Sequence, residues 1–303
     1  DAHCYASQEI IVMSEKAPKL LIVMAHPDDE SFGAGGTLAY YARRGVKVYL
    51  VCATRGEVGD VDPEFMRGYD TIAELREAEL RCAAGTLGLE EVFFLDYRDS
   101  GMPGSEDNHH PRALAAQPTQ QVAGEVAGFI RQLQPDVLVT FDPIGGYRHP
   151  DHIAIHNATV EAFKLAADPA YQDNEGLPAF QPAKFYYQTM PRGFLKLVVR
   201  LMWFAGRNPH QFGRNKDIDL AAIANVDFPT NAVIRYGAVA DIRDAAAKCH
   251  ASQGGASLSG GWLAPLRRLV MAKEIYMRAY PPANGKVETD LFAGVATLPP
   301  LVR

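Results

Sequence analysis

The sequence predicts an α/β fold in which helices cover both faces of a mainly parallel sheet. Three observations predict it. Short apolar runs with little polar alternation recur, as strands buried on both faces require. Stretches of helical length and spacing separate them. Glycines and prolines stand at the junctions, where a chain must turn or stop.

The elements follow in order. Residues 19–25 form a nearly continuous apolar run, the first strand. Residues 37–44 continue as a helix, which Gly45 is suited to end. Residues 46–53 are the second strand, with Cys52 a small core residue. Residues 69–87 are helical up to Gly88, and 91–96 are the third strand. A helix over 119–133 ends before Pro135, which lacks the amide proton a helix needs. Residues 136–141 are the fourth strand, 152–167 a helix and 184–190 the fifth strand. This alternation gives a Rossmann-like, three-layer α/β/α architecture. Residues 191–230 are less regular, more aromatic and more basic. Within them, 194–204 has apolar residues at helical spacing with Lys196 and Arg200 between, read first as core or interface packing and otherwise as a lid or a membrane-surface helix. Residues 254–261 are a Gly/Ser-rich loop. No linker or shift of composition divides the chain. Residues 1–15 are therefore expected to be an N-terminal extension, and 16–303 one domain elaborated from about 191.

Composition narrows the function. Hydrophobic residues make up 48% and charged residues 22%, the balance of a soluble globular protein. A net charge of −6 with no Lys/Arg run argues against a nucleic-acid partner. No stretch of about 18 apolar residues exists to span a bilayer. The first residues lack the basic and apolar regions of a signal peptide. A cytoplasmic protein without membrane contact is expected, and a homo-oligomer is compatible with these features. Cys4, Cys52, Cys82 and Cys249 are far apart and form no CxxC pair, so neither a cysteine metal site nor a disulfide framework is expected.

Two His/Asp clusters carry the chemistry. His26-Pro27-Asp28-Asp29-Glu30 directly follows the first strand, and His149-Pro150-Asp151-His152 follows the fourth. Ligands of open α/β sheets sit outside the carboxyl ends of the strands, so the two clusters can meet. A catalytic zinc keeps three nitrogen or oxygen ligands and an open position. One His and one Asp of the first cluster with one His of the second make such a set. One Asp then remains to take a proton from water, and a His–Asp pair remains to serve the oxyanion or the departing amine. Taken alone, Asp28 or Asp29 is a helix cap, His149 a loop histidine and His156 a helix-surface or core histidine. Two such clusters at strand ends of one fold are harder to explain so.

These residues resemble a known family. Ala25-His26-Pro27-Asp28-Asp29-Glu30 is similar to the signature of the LmbE-like (PIG-L) zinc deacetylases, and Gly145-Gly146-Tyr147-Arg148-His149-Pro150-Asp151-His152 to their second motif. Thr54-Arg55-Gly56-Glu57 resembles the family's segment after the second strand. Tyr97-Arg98-Asp99-Ser100-Gly101-Met102 resembles the branch of the mycothiol deacetylases and mycothiol-conjugate amidases. The resemblance implies an LmbE-like fold and removal of an N-acetyl group from an N-acetylglucosamine-type sugar or sugar conjugate. It implies His26, Asp29 and His152 as zinc ligands, ferrous iron being suited to the same donors. It implies Asp28 as general base, His149 at the oxyanion or amine with Asp151 holding it, and Tyr147 facing the tetrahedral intermediate. Arg76, Asp99 and Met102 would contact the sugar. His109 and His110 depart from the pattern and read as a solvated loop, while His250 and Gln253 are further candidates to reach the site.

Alternatives remain. The same metal and base would serve an amidase or esterase acting on a sugar-thiol conjugate. A nucleotide-binding Rossmann protein is suggested by Gly33-Ala34-Gly35-Gly36, but the full GxGxxG is missing and the adjacent aspartates would repel a pyrophosphate. A binding protein without catalysis would need a lost catalytic residue, and none is missing.

Overall fold

In the computed structural model, residues 17–173, 175–212, 218–255 and 272–301 are described. The expected extension over 1–15, and all but the first two residues of the 254–261 loop, lie outside them.

Five parallel strands lie in the order β3-β2-β1-β4-β5: β1 (Lys19–Met24), β2 (Lys47–Thr54), β3 (Glu91–Tyr97), β4 (Val137–Phe141) and β5 (Lys184–Thr189). The sheet then continues through β7 (Lys273–Tyr280), antiparallel to β5, to β6 (Ala232–Arg235), antiparallel to β7. The sheet is thus mainly parallel, with an antiparallel addition from the C-terminal part of the chain. Leu20 to Met24 of β1 are completely buried, which explains why that run shows no alternation.

Crossovers between parallel strands are right-handed, so the reversal of strand order after β3 sends later helices to the opposite face. Accordingly α2 (Gly35–Ala42) and α3 (Ile72–Leu87) pack with α9 (Ala240–Cys249), while α4 (Thr119–Leu133) packs with α6 (Pro150–Ala167). The order reverses between β1 and β4. Their carboxyl ends therefore flank a crevice, the place where such sheets bind ligands.

Among the helix starts that differ from the sequence expectation, two have plain local reasons. α3 begins at Ile72, because the Thr71 hydroxyl accepts the Glu74 amide at 3.2 Å and the Glu74 carboxylate accepts the Thr71 amide at 3.1 Å. α6 begins at Pro150, because the His149 ring caps it and proline needs no partner in a first turn. The cysteine expectation needs a correction. Cys82 of α3 and Cys249 of α9 are joined by a disulfide across a sequence separation of 167, a pairing that linear spacing cannot reveal.

Candidate active site and metal centre

The first cluster is held in a turn that aims its side chains at the crevice. Met24 ends β1, and the His26 amide donates to Asp29 Oδ2 at 2.7 Å. Asp28 lies in the left-handed region at φ 117°, a conformation that persists only where the surroundings impose it. Its amide donates to Glu30 Oε2 at 3.0 Å. Arg76, buried on α3, donates to Asp28 Oδ2 at 3.0 Å, to the Pro27 carbonyl at 2.6 Å and to the Gly56 carbonyl at 2.9 Å. Gly56, at φ +66°, must be glycine here, since a Cβ would overlap the Arg76 guanidinium.

The second cluster follows β4. Asp142 Oδ1 accepts the amides of Ile144 and Gly146 at 3.1 and 2.9 Å, which curls the chain into the short helix α5 (Gly145–Arg148). His149 then caps α6, with its Nδ1 accepting the Asp151 amide at 3.2 Å. That bond makes Nδ1 the bare nitrogen and leaves Nε2 to carry the proton. Burial, with His26 and His152 nearby, holds His149 well below its ordinary pKa, hence neutral.

The two clusters converge. His26 Nδ1 lies 3.2 Å from His152 Nε2 and 3.6 Å from Asp29 Oδ2, and His152 Nε2 lies 3.3 Å from Asp29 Oδ1. Bonds of about 2.0–2.1 Å to a tetrahedral ion would set its ligand atoms about 3.4 Å apart. These three buried side chains therefore fit a divalent metal. Other triples also stand within 4.8 Å, namely His26, His149, His152 and His26, Asp99, Asp151, so His26 is common to every set. Phe141 stacks on the His152 ring at 4.0 Å and Tyr147 meets it edge-on at 4.9 Å, fixing its orientation.

Asp151 departs from the expected role. Its backbone amide serves His149, but its carboxylate accepts the Ser100 amide at 2.9 Å and the Ser100 hydroxyl, and lies 3.1 Å from His26 Nε2. Asp99 also faces His26 Nε2, at 3.5 Å, and accepts the Gly101 amide at 2.8 Å. Although burial opposes it, His26 and that amide hold Asp99 ionised, well below the usual carboxylate range. Burial pushes the Asp28 carboxyl up to about 6, against the pull of Arg76.

A cavity of about 190 Å³ opens on this centre. Asp28, Arg76, Asp99, Met102, Tyr147 and His149 all line it, as does Gln253. Asp29 and His152 lie beneath its floor as buried residues. His250 lies deeper, fully buried, with Nε2 2.7 Å from Glu30 Oε1. His109 and His110 stay apart in their loop, where His110 Nδ1 accepts the Arg112 amide. Sequence reasoning missed Ser100 and the Glu30–His250 pair. The serine stood beside Asp99 in a motif already singled out, but its partner lies 51 positions away.

A larger cleft of about 500 Å³ lies between β3 and α4, away from this centre. Two of its carboxylates are engaged: Glu125 accepts from Tyr97 at 2.6 Å and Asp173 pairs with Arg131 at 2.9 Å. It lacks the convergence of histidines and carboxylates that marks the smaller one. The glycine-rich turn does not hold its amides open for a pyrophosphate as a Rossmann turn does. Glu274 of β7 accepts the amides of Gly36 and Thr37 at 2.9 and 2.8 Å, which occupies the helix N-terminus a pyrophosphate would need.

Comparison with known proteins agrees with this geometry. Residues 21–163 match the family model described as PIG-L, GlcNAc-PI de-N-acetylase. A 1D-myo-inositol 2-acetamido-2-deoxy-α-D-glucopyranoside deacetylase of Streptomyces avermitilis is 36% identical, over 92% of this chain and 97% of that one. Two solved structures share the fold. The N,N′-diacetylchitobiose deacetylase of Pyrococcus horikoshii has a TM-score of 0.59 at 21% identity, covering 87% of this chain and 84% of that one. GalB, the 4-carboxy-2-hydroxymuconate hydratase of Pseudomonas putida, has a TM-score of 0.55 at 20% identity, covering 88% and 97%. One scaffold thus carries different chemistries, and only the site can decide between them.

Proposed function

The chain belongs to the PIG-L family, and from that premise we propose that it hydrolyses the amide of an N-acetylated glucosamine conjugate, releasing acetate and the free amine. The inositol conjugate named for its relatives is the first substrate to test. One observation carries the reading: a neutral imidazole with its proton on Nε2 and a carboxyl poised near 6 both line the cavity above three metal-type donors.

We assign His26, Asp29 and His152 to a divalent cation, zinc by preference, with ferrous iron suited to the same two-histidine, one-carboxylate set. Such an ion, when bound, polarises the amide carbonyl and acidifies water from a pKa of about 15.7 to about 7. The remaining steps belong to the chain. Asp28 takes a proton from the attacking water as the new carbon–oxygen bond forms. The His149 Nε2–H and the Tyr147 hydroxyl donate to the oxygen that gains the charge. The carbon–nitrogen bond then breaks as the nitrogen takes the proton from Asp28, and the base is restored. Asp151, through Ser100 and His26, and through its amide to His149, keeps both imidazoles in place. Arg76 positions Asp28 and, with Asp99 and Met102, lines the cavity that would receive the sugar.

Free-amine release should be assayed on N-acetylglucosamine, its inositol conjugate, diacetylchitobiose and a mycothiol-type conjugate. The inositol conjugate is expected to react fastest, and chelator-treated enzyme to lose activity until metal is restored. Release from none of the four would overturn the reading.

We place the protein in the cytoplasm. A reducing compartment would open the Cys82–Cys249 disulfide that the structure holds, so alkylation of both on rapid lysis supports that placement, and protection of both rejects it and leaves the bond intact.

A further inference from the structure

Among the described residues, four of the seven exposed large apolar side chains lie on one helix, α7 (Arg192–Phe204). Leu197 is 52% exposed, Leu201 57%, Trp203 56% and Phe204 89%. Leu197, Leu201 and Phe204 follow at intervals of four and three, a single stripe along the helix, with Trp203 beside it. α7 packs on the short helix α8 (Leu220–Ala224), and α8 packs on α5, which carries Tyr147. The helix that bears the stripe is thus linked through α8 to the element that carries Tyr147.

Charge singles out the same segment. Residues 176–216 contain no Asp or Glu but seven Lys or Arg, in a chain whose net charge is −6. Lys196 is neutralised by Asp227 at 2.7 Å. Arg200 and Arg207 are exposed, and among the described residues neither meets a carboxylate within ion-pair distance. A second copy is a poor occupant. A two-fold contact through this stripe would set arginines against arginines, with Asp227 already committed to Lys196. A neutral apolar partner would leave the arginines without a counter-charge.

We propose that α7 docks the protein peripherally on an anionic lipid bilayer. Leu197, Leu201, Trp203 and Phe204 enter the acyl boundary, while Arg200 and Arg207 meet lipid phosphates. Aromatic side chains favour that interface, and an apolar stripe flanked by arginines is the composition of helices that lie in it. The contact is peripheral, because no helix among the described residues is long and apolar enough to cross a membrane.

The test uses the full chain with Trp262→Phe, which leaves Trp203 as the sole tryptophan. Vesicles of phosphatidylcholine, alone or with phosphatidylglycerol, are added, and Trp203 emission, acrylamide quenching and co-sedimentation are followed. A blue shift, loss of quenching and pelleting are expected with the anionic vesicles only, fading as salt is raised. Arg200→Gln and Arg207→Gln should each weaken binding roughly fivefold, and Phe204→Ser should weaken it further. Circular dichroism melting shows whether the variants stay folded, so the result does not depend on the deacetylase reading. No binding at low salt, or equal binding to neutral vesicles, overturns the proposal. So does a Trp203 already shielded from acrylamide without vesicles, since the chain itself or a second copy would then cover the stripe.

Discussion

Asp28 carries the proton in the proposed reaction, and its neighbours set the pH at which it can act. Burial raises its carboxyl to about 6, while Arg76 pulls the other way and Asp29 pushes it up again. A general base works ionised, so kcat/KM should fall as pH drops through about 6. Arg76→Met removes the cation that favours the ionised form. The acidic limb of the profile should then move to higher pH, with the plateau reached later. A limb that stays in place would show that some other group titrates. The residues of this machinery were unequally legible. His26, Asp28 and Asp29 share one pentapeptide, and His149 to His152 share another, so adjacency exposed both clusters. Ser100 on Asp151 and His250 on Glu30 are pairs 51 and 220 positions apart. A hydrogen bond over such a distance leaves no trace in local spacing, and Asp151 was accordingly read as the partner of His149 alone.

At the scale of elements, α3 and the segment that follows α9 each bring residues to the first cluster or to its support. Arg76 and Glu79 belong to α3; His250, Ser252 and Gln253 follow the end of α9. Glu79 accepts the Ser252 amide and hydroxyl, both at 2.8 Å. The Cys82–Cys249 bond ties the same two helices near the surface. Cross-linking positions far apart in sequence removes chain entropy from the unfolded state, typically by about 2–5 kcal/mol. Denaturant unfolding with and without a thiol reductant should differ by that amount, and Cys82→Ser should match the reduced protein while ignoring the reductant. Equal curves would mean that the sulfurs are not bonded in solution. Elements were legible where burial on both faces gave long apolar runs, as in β1, β2 and β4. β6 and β7 escaped because they are partly exposed antiparallel strands whose polar residues, such as Glu274, have work at the site end of the sheet.

For the whole molecule, the fold gathers negative charge where the strand order reverses. Asp28, Asp29, Asp99 and Asp151 surround His26 within a buried crevice, and Arg76 is the one permanent cation among the residues lining it. Buried carboxylates repel one another and need a counter-charge. His26 answers part of that need without metal: burial disfavours its charged form, but Asp99, Asp151 and Asp29 together raise its pKa well above the ordinary value. A divalent ion answers it better, and it must displace the His26 proton to bind. Metal affinity should therefore rise with pH until His26 is neutral. Because the ion binds only the folded arrangement, it also stabilises the protein, by about 2.7 kcal/mol at a hundred times its Kd. Adding zinc to chelator-stripped protein should raise the melting temperature, more at pH 8 than at pH 6. His152→Ala should abolish the response, since one of three donors is gone. Asp28→Ala should keep the response while turnover falls by a factor of about 10² or more, which separates holding the ion from using it. A zinc response that survives in His152→Ala would place the ion elsewhere, and turnover that survives in Asp28→Ala would take the proton away from that carboxylate.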